Sequence, residues 1–352
     1  MSNKAEQYSE NIRPVFSSFR RENLLSCFAA LCQAKTLTRA ELACATELSI
    51  MTTGKIADAM IEGGILNEEK HPCTGAGRRP GSLRFSNRDS FLILKVSSRR
   101  FTAHVITPSM SCKEICIYDY NDIFPFDDNL LIFLNAVRRG YHTTTDSVSY
   151  LAVITAPQQD NRQSITRALT IAPHTTRHMI DYIEKIMRRS VDLVTDEITA
   201  AQHYFNSLSL CRDVGCGAFI NLSDMTYAAV WMKGNLQKPR ICRIGELMMP
   251  KQKRIADALA DAVKTEDAAA PAAYAIGSLE AFFTPDCVMI ESNKFRINED
   301  FLQSVYKELA HILPADNRVI LLQQVLADPC AAVCGCACEL RRTWFCDLTG
   351  VG

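Results

Sequence analysis

Residues 38–66 read "TRAELACATELSIMTTGKIADAMIEGGIL", and this stretch decides the N-terminal fold. Thr38 followed by Glu41 is the spacing of a capping box, so a helix is predicted to start at Arg39. The short "TELS" makes a turn, and Ser49 is placed to cap a further helix over "IMTTGKIADAMIEGG". In that helix Ile56, Met60 and Ile61 are predicted to face a core, with Thr52, Thr53 and Lys55 facing outward. Gly63 and Gly64 stop it. Upstream, Leu24, Leu25, Phe28, Ala29 and Cys32 recur at helical spacing and predict one more amphipathic helix.

Three short helices with a tight turn before the third are the layout of a helix-turn-helix. The following segment, "KHPCTGAGRRPGSLRFSNR" (70–88), carries Lys70, Arg78, Arg79, Arg84 and Arg88 and no acidic residue. Glycines and a proline flank Arg78 and Arg79, as at the tip of a β-wing that enters a minor groove or tracks phosphates. The chain as a whole has 39 basic and 39 acidic residues, so this hairpin is a local footprint for DNA in a molecule without a global field. The candidate DNA contacts are Thr38, Arg39, Ser49, Thr52, Thr53, Lys55, Arg78 and Arg79.

The remaining residues read as α/β. "SFLILKVSSRRFTAHVIT" (90–107) predicts a β-hairpin, "SYLAVITAP" (149–157) a buried strand, and "SVDLVTDEITAAQHYF" (190–205) a strand running into a helix at Asp196. "GAFINLSDMTYAAVWMKGNL" (217–236) reads as a hairpin turning at Lys233–Asn235. "TEDAAAPAA" (265–273) is the most loop-like interior stretch, and "AAYAIGSLEAFFTPDCVMIES" (272–292) gives a helix, a turn and a buried strand. The N-terminus "MSNKAEQYSENIRPVF" lacks the apolar stretch of a signal peptide, and no apolar run approaches the ~18 residues of a membrane span. The expected setting is the cytoplasm, with the 15 cysteines as reduced thiols.

In this order of motifs the chain resembles the ROK family, which groups bacterial sugar-responsive repressors with sugar kinases. The likeness runs from about Arg20 onward and is most specific in residues 38–66 followed by "TGAGRRPGSL" (74–83), as in the repressor branch. It implies a winged helix-turn-helix over 1–88 and, over 89–352, a two-lobed actin-like (ribonuclease H-like) ATPase-type fold. Lobe one would hold about 89–190 with a C-terminal helix at 328–352, and lobe two about 191–327. The resemblance also implies double-stranded DNA carrying an inverted repeat as partner, a homodimer or higher homo-oligomer, and a sugar or sugar-derived effector.

Beyond the head the family's motifs are eroded. Its first phosphate turn is matched by "LKVSSRR" (94–100), with Lys95 where an acid belongs and Ser97 in place of glycine. Its second, glycine-rich phosphate loop is matched by "SDMTY" (223–227), with Asp224 facing any triphosphate. Side chains at such turns block the backbone N–H groups that cradle phosphate, so no phosphoryl transfer is expected. Asp196 stands where the kinases keep their base, a carboxylate fit to bind a sugar hydroxyl or to cap the helix. "GELMM" (245–249) keeps Glu246 but has Met249 in place of the family's sugar- and zinc-binding histidine, and the next residues contain no cysteine. Asp196 and Glu246 are therefore the candidate ligand contacts, with no cofactor and no metal site. The alternatives are a sugar kinase with an appended DNA-binding head, and a dimerisation scaffold that has lost sensing.

"CAAVCGCACEL" (330–340) imitates the missing zinc loop but falls where the family has its final helix. On a helix Cys330, Cys334 and Cys338 form one stripe while Cys336 points away, and four such thiolates cannot converge into a tetrahedron. They are expected to act as small apolar fillers.

Overall fold

The computed structural model describes residues 13–34, 36–69, 81–97, 100–142, 148–155, 173–208, 214–222, 226–232, 240–250, 252–265, 268–313, 320–326, 328 and 330–351. By internal contacts the chain divides into two compact units, Met1–Val194 with Cys336–Gly352, and Thr195–Gly335.

The first unit begins with α1 (Arg21–Gln33), β1 (Leu37–Thr38), α2 (Arg39–Thr46) and α3 (Ile50–Glu62), then β2 (Leu66–Glu69) and β3 (Ser82–Phe85). The local signals in the sequence are realised as chemistry. Thr38 Oγ1 accepts from Glu41 N at 3.2 Å while Glu41 Oε2 accepts from Thr38 N at 2.7 Å, a complete capping box. Ser49 Oγ accepts from Thr52 N at 3.1 Å and caps α3. Between the two helices Glu47 takes a left-handed φ of 57°, which lets the turn close without a glycine. Leu24, Cys27, Leu31, Leu42, Ile56 and Met60 fill the space among the three helices. Ala29, expected inside, is exposed, with Cys27 and Leu31 buried in its stead. β1, β3 and β2 form an antiparallel sheet in that order, with Thr38 opposite Ser82 and Leu66 opposite Phe85.

Five further strands follow, β4 (Ser90–Val96), β5 (Arg100–Ile106), β6 (Cys112–Asp119), β7 (Val148–Thr155) and β8 (Asp192–Thr195), with α4 (Phe126–His142) before β7 and α5 (Pro173–Met187) after it. Their order in the sheet is β6-β5-β4-β7-β8. The predicted β4/β5 hairpin is present, and β7 lies parallel to β4. β4 is buried on both faces, which is why "SFLILKV" is almost continuously apolar rather than alternating. Leu130, Phe133, Leu134 and Val137 of α4, spaced i, i+3, i+4, i+7, cover one of those faces together with Met179 and Ile183 of α5.

The second unit contains α6 (Asp196–Leu208), β9 (Cys216–Asn221), β10 (Tyr227–Met232), β11 (Arg240–Cys242), a 3-10 turn at Ile244–Glu246, β12 (Met248–Met249), β13 (Lys253–Arg254), α7 (Ile255–Thr265), α8 (Ala269–Phe283), β14 (Cys287–Glu291), α9 (Glu299–Ile312) and β15 (Leu321–Gln324). Its sheet runs β11-β10-β9-β14-β15, with β14 parallel to both β9 and β15. β9 pairs antiparallel with β10, Asn221 opposite Tyr227, and β10 pairs antiparallel with β11; Lys233–Asn235, the expected turn, fall in the connection from β10 to β11 and lie outside the described residues. Within the stretch "TEDAAAPAA" residues 269–273 are helical, since α8 starts at Ala269, and residues 266–267 lie outside the described residues. Pro271 sits in its first turn, where a missing N–H costs nothing.

The last helix, α10 (Ala331–Thr349), carries the chain from the second unit back into the first. At its start Gly335 meets α6 so closely that a Cβ would lie 1.7 Å from Thr199 O. Further along, Phe345 stacks on Phe28 of α1 with ring centroids 4.3 Å apart. Trp344 meets Phe85 and Phe91 edge-on, each at 6.4 Å, and its Nε1 donates to Asp89 Oδ2 at 2.9 Å. The Arg341 guanidinium lies 5.1 Å from the Phe85 ring centre. Helices α1 and α10, the sheet of the head and β4 therefore share one aromatic core inside the first unit. Of the cysteines in "CAAVCGCACEL", Cys336 is buried as a filler, whereas Cys330 is exposed.

Candidate nucleic-acid interface

Helix α3 presents a short exposed face at its start. Ile50 and Met51, the two residues after the cap, are 71% and 73% exposed. Lys55 is exposed one turn further on, and Thr52 is half-buried with its hydroxyl 2.9 Å from that of Ser49. In a helix-turn-helix the first residues of this helix are those nearest the base edges. Ile50 and Met51 were not in the sequence-derived set. Their signal was available, since both are apolar and stand off the stripe that Ile56 and Met60 define.

Thr53 must be corrected. It is fully buried, and its Oγ1 donates to Ser49 O at 3.1 Å. Its spacing from Ile56, Ala57 and Met60 puts it on the core stripe, and the i−4 hydrogen bond removes the cost of burying a hydroxyl there. Arg39 is likewise held within the head. Its Nε and Nη2 bond Glu68 at 3.0 and 3.1 Å, Nη1 donates to Gly54 O at 3.2 Å, and Nη2 lies 2.7 Å from Asp58. The Glu68 carboxylate, followed by Asp58, raises the affinity of this guanidinium for its proton. The network ties α2 to α3 and β2.

Thr38 contributes through its cap, which fixes the start of α2. Of the basic hairpin, Arg84 pairs with Glu69 at 2.5 Å. Arg78 and Arg79 lie outside the described residues, as does Lys70.

The candidate ligand residues do not share one described site. Asp196 is the first residue of α6, and its side chain lies outside the described residues. Glu246 ends the 3-10 turn, exposed, with its Oε2 3.1 Å from Arg254 Nη1 in an ion pair that also includes Asp257. Gly245 beside it packs so that a Cβ would meet Thr226 O at 2.7 Å, which accounts for the glycine without a ligand. In the segment matched to the first phosphate turn, Ser98 and Arg99 lie outside the described residues, and Ser97 and Arg100 on either side are bonded to each other. Ser97 Oγ donates to Arg100 O at 2.6 Å and accepts from Arg100 N at 3.2 Å. Asp224 lies outside the described residues. Among the described residues no group of three or more His, Cys, Asp or Glu could hold a metal ion, and no helix is long and apolar enough to cross a membrane.

No protein-family model and no curated protein matches the chain. Solved structures do. The chain is similar over 98% of its length to 98% of a ROK family transcriptional regulator, a homologue of the E. coli MLC protein, with a TM-score of 0.59 and 14% identity. Over 72% of its length it is similar to 99% of a ROK hexokinase from Thermus thermophilus, with a TM-score of 0.52 and 13% identity. Over 72% it is similar to 98% of a ROK family protein from Streptococcus pneumoniae in complex with sucrose, with a TM-score of 0.50 and 11% identity. At these identities the likeness is one of fold. The chain has the α/β fold of the ROK regulators and kinases, an actin-like ATPase-type body preceded by a helix-turn-helix.

Proposed function

We propose that the protein is a DNA-binding transcriptional regulator that acts as a dimer on inverted repeats, with residues 1–88 as its DNA-binding domain and 89–352 as a non-catalytic body. The carrying observation is the capped α3, which turns Ile50, Met51, Thr52 and Lys55 outward at its N-terminal end. The full-length likeness in fold to a ROK transcriptional regulator supports the same reading. Helix α3 enters a major groove, and Arg78 and Arg79 reach the adjoining minor groove. Thr38 and Ser49 hold the two helix starts, and Arg39 and Thr53 act from inside the head. Protein two-fold symmetry then matches operator symmetry. Such a regulator works in the cytoplasm.

In the body, the side chain of Ser97, bonded to Arg100 where glycine would stand, and the loss of glycine over 223–227 argue against phosphoryl transfer. Asp196 and Glu246 are the residues proposed to meet a sugar or sugar-derived effector. The fold likeness to a ROK hexokinase keeps one rival reading, a kinase with an appended head. ATP turnover on a panel of hexoses would favour it.

Selection of bound fragments from the source genome, at two salt concentrations, tests the proposal. An enriched inverted repeat that survives the higher salt supports it, and sequence-blind, salt-sensitive binding counts against it. Replacing both Arg78 and Arg79 with Ala is expected to weaken binding and flatten its salt dependence. Unchanged affinity and slope would remove the wing from the interface.

A further inference from the structure

The edge of the first unit's large sheet carries a group of side chains that DNA binding does not use. Cys112 opens β6, and the register sets Ile106 opposite Cys112 and His104 opposite Glu114. His104 Nδ1 lies 4.0 Å from Cys112 Sγ. On its other side His104 Nε2 lies 3.0 Å from Thr102 Oγ1 and 4.0 Å from Glu114 Oε2. The His104 side chain is 7% exposed, whereas Cys112 beside it is an exposed residue.

This is the order nucleophile, base, orienting group. Thr102 and Glu114 favour the tautomer with its proton on Nε2, which leaves the Nδ1 lone pair directed at the thiol. Burial first, and then Lys95, disfavour the imidazolium, while Glu114 favours it, with the net direction downward. His104 is thus neutral near neutral pH, the form that accepts a proton. The three groups do not make a metal site, since no such group among the described residues can hold an ion. A buried cysteine is inert, but an exposed one with a base at hand is not.

We propose that Cys112 is a reactive thiol, activated by His104 with Glu114 and Thr102 as positioning residues, and that its co-reactant is a small peroxide. The Cys112 proton passes to His104 Nδ1. The thiolate sulfur attacks one peroxide oxygen, an S–O bond forms and the O–O bond breaks. Sulfur is oxidised to the sulfenic acid, and the peroxide is reduced. The leaving hydroxide takes the proton back from His104 and departs as water. Hydrogen peroxide suits the site because it brings its own leaving group and needs one proton, which His104 holds. A larger substrate would need positioning groups beyond this set. The inference is independent of the DNA-binding reading.

The test uses the reduced full chain, treated with hydrogen peroxide in the presence of dimedone, with adducts located by peptide mass spectrometry. Cys44 and Cys330, also exposed, are the internal comparators. Cys112 is expected to trap about tenfold faster than either, and His104→Gln to bring it to their level. Glu114→Gln, at an exposed position, is expected to slow trapping about threefold with thermal stability unchanged. Trapping at Cys112 no faster than at Cys44 and Cys330 would overturn the proposal. So would fast trapping indifferent to both substitutions, since the activating group would then lie elsewhere.

Discussion

Gly54→Ala separates what α3 does for stability from what it does for binding. Gly54 lies inside α3, and a Cβ built there has nothing within 4 Å. A glycine within a helix costs about 0.8–1.0 kcal/mol relative to alanine, through backbone entropy. With open space and a helical backbone, none of that gain is returned as a clash. The variant should therefore be more stable by about 0.5–1 kcal/mol, which raises a melting temperature by a few degrees. The Gly54 carbonyl still accepts from Arg39, because that bond uses the backbone. Binding should move the opposite way. If the helix lies in a groove on the side where Ile50, Met51 and Lys55 emerge, the added methyl enters the gap between backbone and DNA. A loss of about 1.4 kcal/mol, tenfold in affinity, is the expected scale. Urea unfolding and fluorescence anisotropy on a selected fragment read the two effects. Lower stability would show that the space at Gly54 is filled. Higher stability with unchanged affinity would show that this side of α3 does not meet DNA.

Thr38→Ala removes the capping-box acceptor and should cost about 1 kcal/mol in urea unfolding. Gly335→Ala drives a methyl into the backbone of Thr199 and should destabilise by about 3 kcal/mol or more, read as lost soluble yield or a lowered melting temperature. Phe345→Ala empties the stack on Phe28 and should cost about 3–5 kcal/mol in denaturant unfolding, with Phe345→Leu recovering much of it. Acid should act in two stages. His104 and His203 have lowered pKa values, chiefly from burial, so the unfolded chain binds more protons and stability falls as pH drops below 6.5. The Glu41 carboxyl is lowered by its bond from the Thr38 backbone, so its contribution is lost only below 4.5. Urea midpoints across pH should show the first stage weakened in His203→Gln.

Local signals were legible. Thr38, Glu41 and Ser49 act within one helical turn, and their side chains do what their spacing predicts. Thr53 departs from its outward-facing expectation because its spacing from Ile56 and Met60, rather than its polarity, decides its burial. Lys233–Asn235, which read as a turn, fall in the connection between the antiparallel β10 and β11, outside the described residues. The connection over 222–226, which joins β9 to β10, has no glycine or proline to mark it in the sequence. The stretch 265–273 reads as loop-like, and residues 269–273 are helical because α8 starts at Ala269 and its first turn tolerates Pro271. Arg39 is a candidate DNA contact, and its partners Asp58 and Glu68 come from other elements that no local pattern links to it. Glu246 was assigned by motif, and its ion pair with Arg254 is a contact of the folded surface.

The placement of α10 has a consequence for the order of synthesis. Trp344 bonds Asp89 across 255 positions, and every residue of the second unit lies between them. On the ribosome the second unit is therefore complete before the first can close its core. Until then the rings of Phe28, Phe85 and Phe91 wait without the helix that covers them. A closure over so long a loop is slow, and apolar rings left open meanwhile invite association with other chains. The aromatic core that the head shares with α10 is therefore completed only after the whole of the second unit has been made.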